Sequence, residues 1–161
     1  DVLMKVIKPP GMPVDFYAIS VPRLFVAGGI SNTSNWQDEF LNLLSDQYIV
    51  AFNPRREDFD ANNKEMEIEQ ITWEWTALRN SDIISFWFSP ETLCPITLFE
   101  LGTVLEKSPF KQKIVVGCHP DYKRINDIRI QLSLRNTSIQ VVTDLPSLAN
   151  QVKDWLQKTK R

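Results

Sequence analysis

Two glutamates and a few polar loop residues carry the chemistry this sequence could perform. Glu100 lies in the run Pro95-Ile96-Thr97-Leu98-Phe99-Glu100-Leu101-Gly102, within the first turns of a helix expected after an apolar strand. The helix dipole favours an exposed carboxylate there by roughly 0.3–1 kcal/mol. An ionised Glu100 near neutral pH, the state a nucleophile needs, is therefore expected. A glutamate that only complements the dipole would occupy the same place. Glu74 stands between Trp73 and Trp75. Crowding by large aromatics desolvates a carboxyl and raises its pKa, which suits a proton donor. Neighbours on a helix point about 100° apart, however, so a boundary glutamate is the alternative reading.

Other polar groups cluster at predicted turns. Gly28, Gly29 and Ser31 follow the first apolar run, where glycine lets a ligand approach the backbone closely or simply makes a tight turn. The third glycine of a dinucleotide fingerprint and the lysine of a phosphate-binding loop are both missing. Asn53, Arg55 and Arg56 follow the second run, and an arginine pair can grip phosphate or carboxylate through planar forks. A solvated loop explains the same charges. Asp82 opens a strand and reads as a turn or capping group. His119, the single histidine, reads as a loop residue, which leaves no Ser-His-Asp set or metal cluster to assemble. Cys94 and Cys118 lack metal-ligand spacing and read as reduced, partly buried thiols. No metal or cofactor is called for.

The elements that must position these groups alternate regularly. Strands are predicted at 24–27, 48–52, 83–88, 113–118 and 139–142. Helices are predicted from about 36 to 44, 64 to 79, 95 to 105, 122 to 134 and 145 to 158, with Ile68, Ile71, Trp75 and Leu78 as the apolar stripe of the second. The expected architecture is α/β: a flavodoxin-like, doubly wound sheet of five parallel strands in the order 2-1-3-4-5, with helices on both faces. Residues 1–22, with four prolines, read as an extended arm, and 23–161 as one domain. In such sheets ligands bind beyond the carboxyl ends of the strands, where the strand order reverses. That edge collects the segments after Ala27, Phe52, Phe88 and Cys118.

The chain has 161 residues, 43% hydrophobic and 24% charged, which fits an ordinary globular domain. A net charge of -2 offers no positive field for duplex nucleic acid or an anionic membrane surface. No membrane-spanning apolar run or signal-peptide pattern is read, and a cytoplasmic location is the expectation.

Five stretches together resemble the nucleoside 2-deoxyribosyltransferase family, in its deoxyribosyltransferase-like branch. They are LFVAGGIS at 24–31, FNPRREDFD at 52–60, ITWEWTALRNSDIISFWF at 71–88, PITLFELGTVLEKS at 95–108 and VGCHPDYKRINDIRIQ at 116–131. The resemblance implies cleavage of the bond between a base and 2-deoxyribose, with the sugar passed to another base or to water. It implies that Glu100, in the ELG triplet, is the nucleophile. Glu74 then assists proton transfer to the base, at a position where relatives commonly carry aspartate. Asn126 corresponds to an asparagine lent to the neighbouring subunit's site, so a homo-oligomer is expected.

Two positions depart from the family pattern. Cys94 stands where an aspartate helps to place base and sugar, and Phe25 stands where a tyrosine steadies the nucleophile. Glu91 replaces that aspartate only if its loop takes another shape. The expected activity is cleavage of a 2'-deoxynucleoside or its 5'-monophosphate through a glycosyl-Glu100 intermediate. The competing readings are a module on the same fold that senses nucleosides or nucleotides without catalysis, and a flavin-binding sheet.

Overall fold

The computed structural model describes residues 3–12, 20–107 and 111–160. Its sheet is parallel and has six strands: β1 (Met4–Ile7), β2 (Arg23–Gly28), β3 (Ile49–Phe52), β4 (Ile83–Phe88), β5 (Lys113–Cys118) and β6 (Val141–Val142), in the order β1-β3-β2-β4-β5-β6. Five helices accompany them: α1 (Trp36–Asn42), α2 (Lys64–Arg79), α3 (Pro95–Leu105), α4 (Ile125–Leu134) and α5 (Leu145–Thr159). This corrects the five-stranded expectation. The run Met-Lys-Val-Ile, inside the proline-rich segment expected to be an extended arm, pairs with β3 from Met4↔Ile49 to Ile7↔Phe52. The remainder of that segment includes residues 1, 2 and 13–19, which lie outside the described residues.

Alternation along the strands divides the core in two. Leu24 and Val26 of β2 pack with Trp36, Phe40, Leu148 and Val152 from α1 and α5. Phe25 and Ala27 point the other way, to Trp73 and Ala77 of α2, Leu101 of α3 and Ile128 of α4. Every residue of β4 is buried, as a central strand covered on both faces requires. Caps follow from local chemistry. The Asn63 side chain accepts from the Glu65 and Met66 amides at 3.1 and 3.2 Å, and Asp144 accepts from the Ser147 amide at 2.7 Å. Pro95 opens α3, where its missing N–H would be unpaired in any case.

The buried side of α2 differs from the predicted stripe. Gln70, Trp73, Ala77 and Leu78 face the core, whereas Ile68, Ile71 and Trp75 are 65%, 58% and 57% exposed. Trp73 decides the outcome. Its ring packs against Phe25 and Phe52 at 6.3 and 6.2 Å, and its indole N–H donates to the Gly11 carbonyl at 2.6 Å. Residues 71 and 75 sit two positions to either side of Trp73, about 200° around the helix, and so must face outward.

Candidate functional site

A cavity of about 610 Å³ opens at the carboxyl ends of β2 and β4, bounded by α2 and α3. That volume falls within the range of small-molecule sites. Glu74 and Glu100 both line it. Each lies one residue from a buried anchor, Trp73 or Leu101, and one from an exposed aromatic, Trp75 or Phe99. A turn of about 100° from the core-facing neighbour leaves both carboxyls on a helix flank, at the border between core and solvent. The boundary position that weakened Glu74 as a candidate in the sequence is thus what turns it into the cavity.

Electrostatics overturn one expectation. Burial, and after it the Glu74 charge, together raise the Glu100 pKa from 4.5 to about 8. Glu74 rises to about 7 through burial, opposed in part by a hydrogen bond from Gln70. Glu100 therefore holds its proton at neutral pH instead of being ionised. The rise corresponds to about 5 kcal/mol against ionisation, which outweighs the roughly 0.3–1 kcal/mol offered by the helix dipole.

The loop after β2 is built for packing as much as for a ligand. Gly28, Gly29 and Ser31 line the cavity. A Cβ on Gly28 would lie 2.1 Å from Trp36 Cζ2 and 2.7 Å from the Trp87 carbonyl oxygen, so the Trp36 ring fills that space. A Cβ on Gly29 would meet Cys94 Sγ and Thr33 Cγ2, each at 3.0 Å. No glycine among the described residues has a positive φ. The Gly29 carbonyl accepts from Thr33 Oγ1, Trp36 Nε1 and Gln37 Nε2 at 3.1, 2.9 and 3.0 Å, which fixes the loop.

The segment after β3 divides its residues between structure and site. Arg55 does not line the cavity. Its guanidinium donates to Thr33 Oγ1, the Ser34 carbonyl, Gln37 Oε1 and the Thr33 carbonyl at 2.9–3.2 Å, clamping the β2 loop. Asn53 is fully buried outside the cavity wall, and its Oδ1 accepts from the Arg55 amide at 3.0 Å. Arg56 does line the cavity, yet its guanidinium is already engaged, by Asp58 at 2.7 and 3.0 Å and by Glu69 at 2.6 Å. Asn126 lies exposed on α4, away from this cavity.

Phe25 and Cys94, the two positions where the sequence resemblance breaks down, both sit in the wall. Phe25 is buried against Trp73. Cys94 caps α3 with φ 49°, in the left-handed region that favours glycine. Thr92 and Tyr122 hold that turn: the Cys94 amide donates to Thr92 Oγ1 at 3.1 Å, and the buried Tyr122 hydroxyl donates to the Leu93 carbonyl at 2.7 Å. Glu91 is exposed, accepts from Ser34 Oγ at 3.4 Å, and does not line the cavity. Asp82 bridges Arg23, as a structural group, at 2.8–3.2 Å. His119 Nδ1 accepts from the Asp121 amide at 3.1 Å within a turn.

Gln70 escaped the sequence reading. It is buried in the cavity wall, four residues before Glu74, and its Nε2 donates to the Pro54 carbonyl at 2.8 Å and to Glu74 Oε1 at 3.3 Å. The i, i+4 spacing was the available signal. Among the described residues, no group of three or more His, Cys, Asp and Glu side chains could hold a metal ion. No helix among them is long and apolar enough to cross a membrane.

No curated protein matched the chain. The family model described as nucleoside 2-deoxyribosyltransferase like matches residues 21–122, a span holding Glu74, Glu100, Cys94 and both loops beyond β2 and β3. With well over half its length matched, the chain belongs to the nucleoside 2-deoxyribosyltransferase-like family.

Proposed function

We propose that this protein cleaves the N-glycosidic bond of a 2'-deoxynucleoside or its 5'-monophosphate and passes the sugar to another base or to water. The observation that carries the proposal is the convergence of Glu74 and Glu100, from two different helices, on one largely apolar cavity at the strand ends. The Glu100 carboxylate attacks C1' of the sugar while the bond from C1' to the base nitrogen breaks. The electron pair stays on the base, which takes a proton from Glu74. The resulting glycosyl ester is then attacked at C1' by an acceptor base or by water, whose proton returns to Glu74 as Glu100 leaves.

The active arrangement needs one proton on the pair, placed on Glu74. A bound base that accepts a hydrogen bond from Glu74 holds it there, and positive charge developing on the sugar favours ionised Glu100. Turnover at low substrate concentration is expected to peak between about pH 7 and 8. Below that window a second proton silences the nucleophile, and above it no proton remains for the base.

The charge inventory favours an unphosphorylated substrate. The cavity's cations are Arg56, held by two carboxylates, and Arg79, which stacks at 4.0 Å over the Trp75 ring. The acids Glu67, Glu74 and Glu100 share the same walls. Exposed Ile71, Trp75, Ile96 and Phe99 around the mouth favour coverage by a second copy, which is where a contribution from Asn126 would come. A panel of deoxynucleosides and their monophosphates, with and without acceptor base, tests the proposal by chromatography. Base release by the wild type and its loss in Glu100→Ala are expected, and full turnover by the variant would overturn the mechanism.

The non-catalytic reading draws on Cys94 and Phe25, which bring no carboxylate or hydroxyl to the cavity. Ligand binding without base release over many hours would favour it.

A further inference from the structure

We propose that Thr97 is a positioning residue for Glu100: its hydroxyl donates a hydrogen bond to the ionised carboxylate and holds it for attack on the sugar. The inference rests on the reading of Glu100 as the nucleophile, and it adds a residue to that site.

Thr97 carries a hydroxyl that its own helix leaves unused. A threonine inside a helix can donate to the carbonyl four residues back. Thr76 does so to Thr72, Thr103 to Phe99 and Thr159 to Trp155, at 2.8, 2.7 and 3.1 Å. For Thr97 that carbonyl belongs to Leu93, and it already accepts from the Tyr122 hydroxyl at 2.7 Å. Among the described residues the Thr97 hydroxyl has no hydrogen-bond partner. It opens on the cavity all the same. Thr97 is 3% exposed and lines the wall. The buried side-chain atoms that are sealed off without a partner are Asn53 Nδ2, Gln70 Oε1 and Ser89 Oγ, and Thr97 Oγ1 is not one of them. The other hydroxyls of the lining are differently placed. Thr103 donates to its own helix, Thr92 is engaged by the Cys94 amide and thiol at 3.1 and 3.4 Å, and Ser31 is exposed beyond β2.

Glu100 lies three residues further along α3, a spacing at which helical side chains meet. Helical side chains lean towards the N-terminus, so that of Glu100 lies over the turn that holds Ile96 and Thr97. Ile96 stands at the exposed mouth, which leaves Thr97 as the buried neighbour of Glu100 in that turn. Among the described residues the Glu100 carboxyl has no hydrogen-bond partner either. Ionisation makes it a strong acceptor beside an idle donor, and hydrogen bonds to charged groups are the strong ones. An oxocarbenium-like transition state leaves much of the negative charge on Glu100, so the bond acts there and not in the resting, protonated acid. The other titratable and charged groups around the cavity are Arg56 beyond β3, Glu67, Glu74 and Arg79 on α2, and Cys94 before α3. Substitution of Thr97 leaves all five in place.

The titration of Glu100 in the ligand-free protein tests this. Its carboxyl carbon is followed by carbon-13 NMR in the wild type, Thr97→Val and Thr97→Ser, and is assigned by its loss in Glu100→Gln. Thr97→Val keeps the shape and removes the donor. With folding checked by circular dichroism, it is expected to make Glu100 a roughly 10- to 100-fold weaker acid, a rise of about one to two pH units in the midpoint. Thr97→Ser keeps the donor and is expected to titrate close to the wild type. Where base release is seen, kcat is expected to fall in Thr97→Val with KM little changed. An unmoved midpoint in folded Thr97→Val, Thr97→Ser titrating like Thr97→Val, or a rise in KM alone would each overturn the proposal. If Thr97→Val does not fold, a crystal structure of the wild type at pH 10 decides, above the value of about 8 to which Glu100 is raised. Thr97 Oγ1 within hydrogen-bond distance of a Glu100 oxygen is expected, and a Thr97 hydroxyl turned elsewhere would overturn the proposal. The titration needs no turnover, so the expected shift in a protein that releases no base would sink the catalytic reading and leave this contact standing.

Discussion

Replacing Glu100 by glutamine should stabilise this protein, and the gain should grow with pH. Burial and the Glu74 charge hold the Glu100 pKa at about 8 in the folded chain, against 4.5 for the free side chain. The unfolded chain therefore releases this proton before the folded chain does. As pH rises from 4.5 to 8, stability falls by about 1.4 kcal/mol for each unit, and above pH 8 the loss is complete at about 5 kcal/mol. Glu100→Gln removes the titration and keeps the shape. Between pH 5 and pH 8.5 the variant should gain about 4 kcal/mol on the wild type, a large fraction of the 5–15 kcal/mol typical of a domain. Urea unfolding at the two pH values, with equal slopes for the two proteins, measures the difference. Wild type and variant profiles that run parallel across this range would refute the claim that Glu100 is buried in an apolar cavity. The same result would remove the stability cost expected of a site kept for chemistry.

Two further substitutions test the frame of the cavity. Gly28→Ala should cost about 1–3 kcal/mol, because a Cβ there lies 2.1 Å from the Trp36 ring and one side of the core must move; thermal melting checks it, and an unchanged midpoint would contradict the packing. Arg55→Ala should lower stability through the loss of its clamp on Thr33, Ser34 and Gln37, while leaving the ratio of kcat/KM for nucleosides and monophosphates unchanged, since its guanidinium does not reach the cavity. A selective loss of monophosphate turnover would place a phosphate on Arg55 after all.

The layout of the site was written in the sequence more clearly than its electrostatics. Short apolar runs and their turns located the strand ends, and Pro95 located the start of α3, so Glu100 could be placed at the binding edge from spacing alone. β1 was hidden because four residues among prolines carry little periodic signal, and only pairing with β3 makes them a strand. The stripe of α2 was misread because residues 68, 71, 75 and 78 and residues 70, 73, 77 and 78 both satisfy helical spacing. What separates them is the fit of Trp73 between Phe25 and Phe52, a contact between distant parts of the chain. The ionised state expected of Glu100 followed from a local dipole, and the opposite state follows from tertiary burial. Arg55 looked like a ligand group because an arginine in a loop has no visible partner in sequence; its partners lie 18 to 22 residues away.

The central claim is a covalent bond between Glu100 and the sugar, and the adduct has a mass that can be measured. A 2'-fluoro deoxynucleoside slows both steps by destabilising the oxocarbenium-like state. The chain is incubated with this compound, quenched in acid and digested, and the peptides are analysed by mass spectrometry. The predicted result is a sugar adduct on the peptide that contains Glu100, absent in Glu100→Gln. Base release from the natural deoxynucleoside with the adduct on another residue, or with no adduct at any time point, would contradict it.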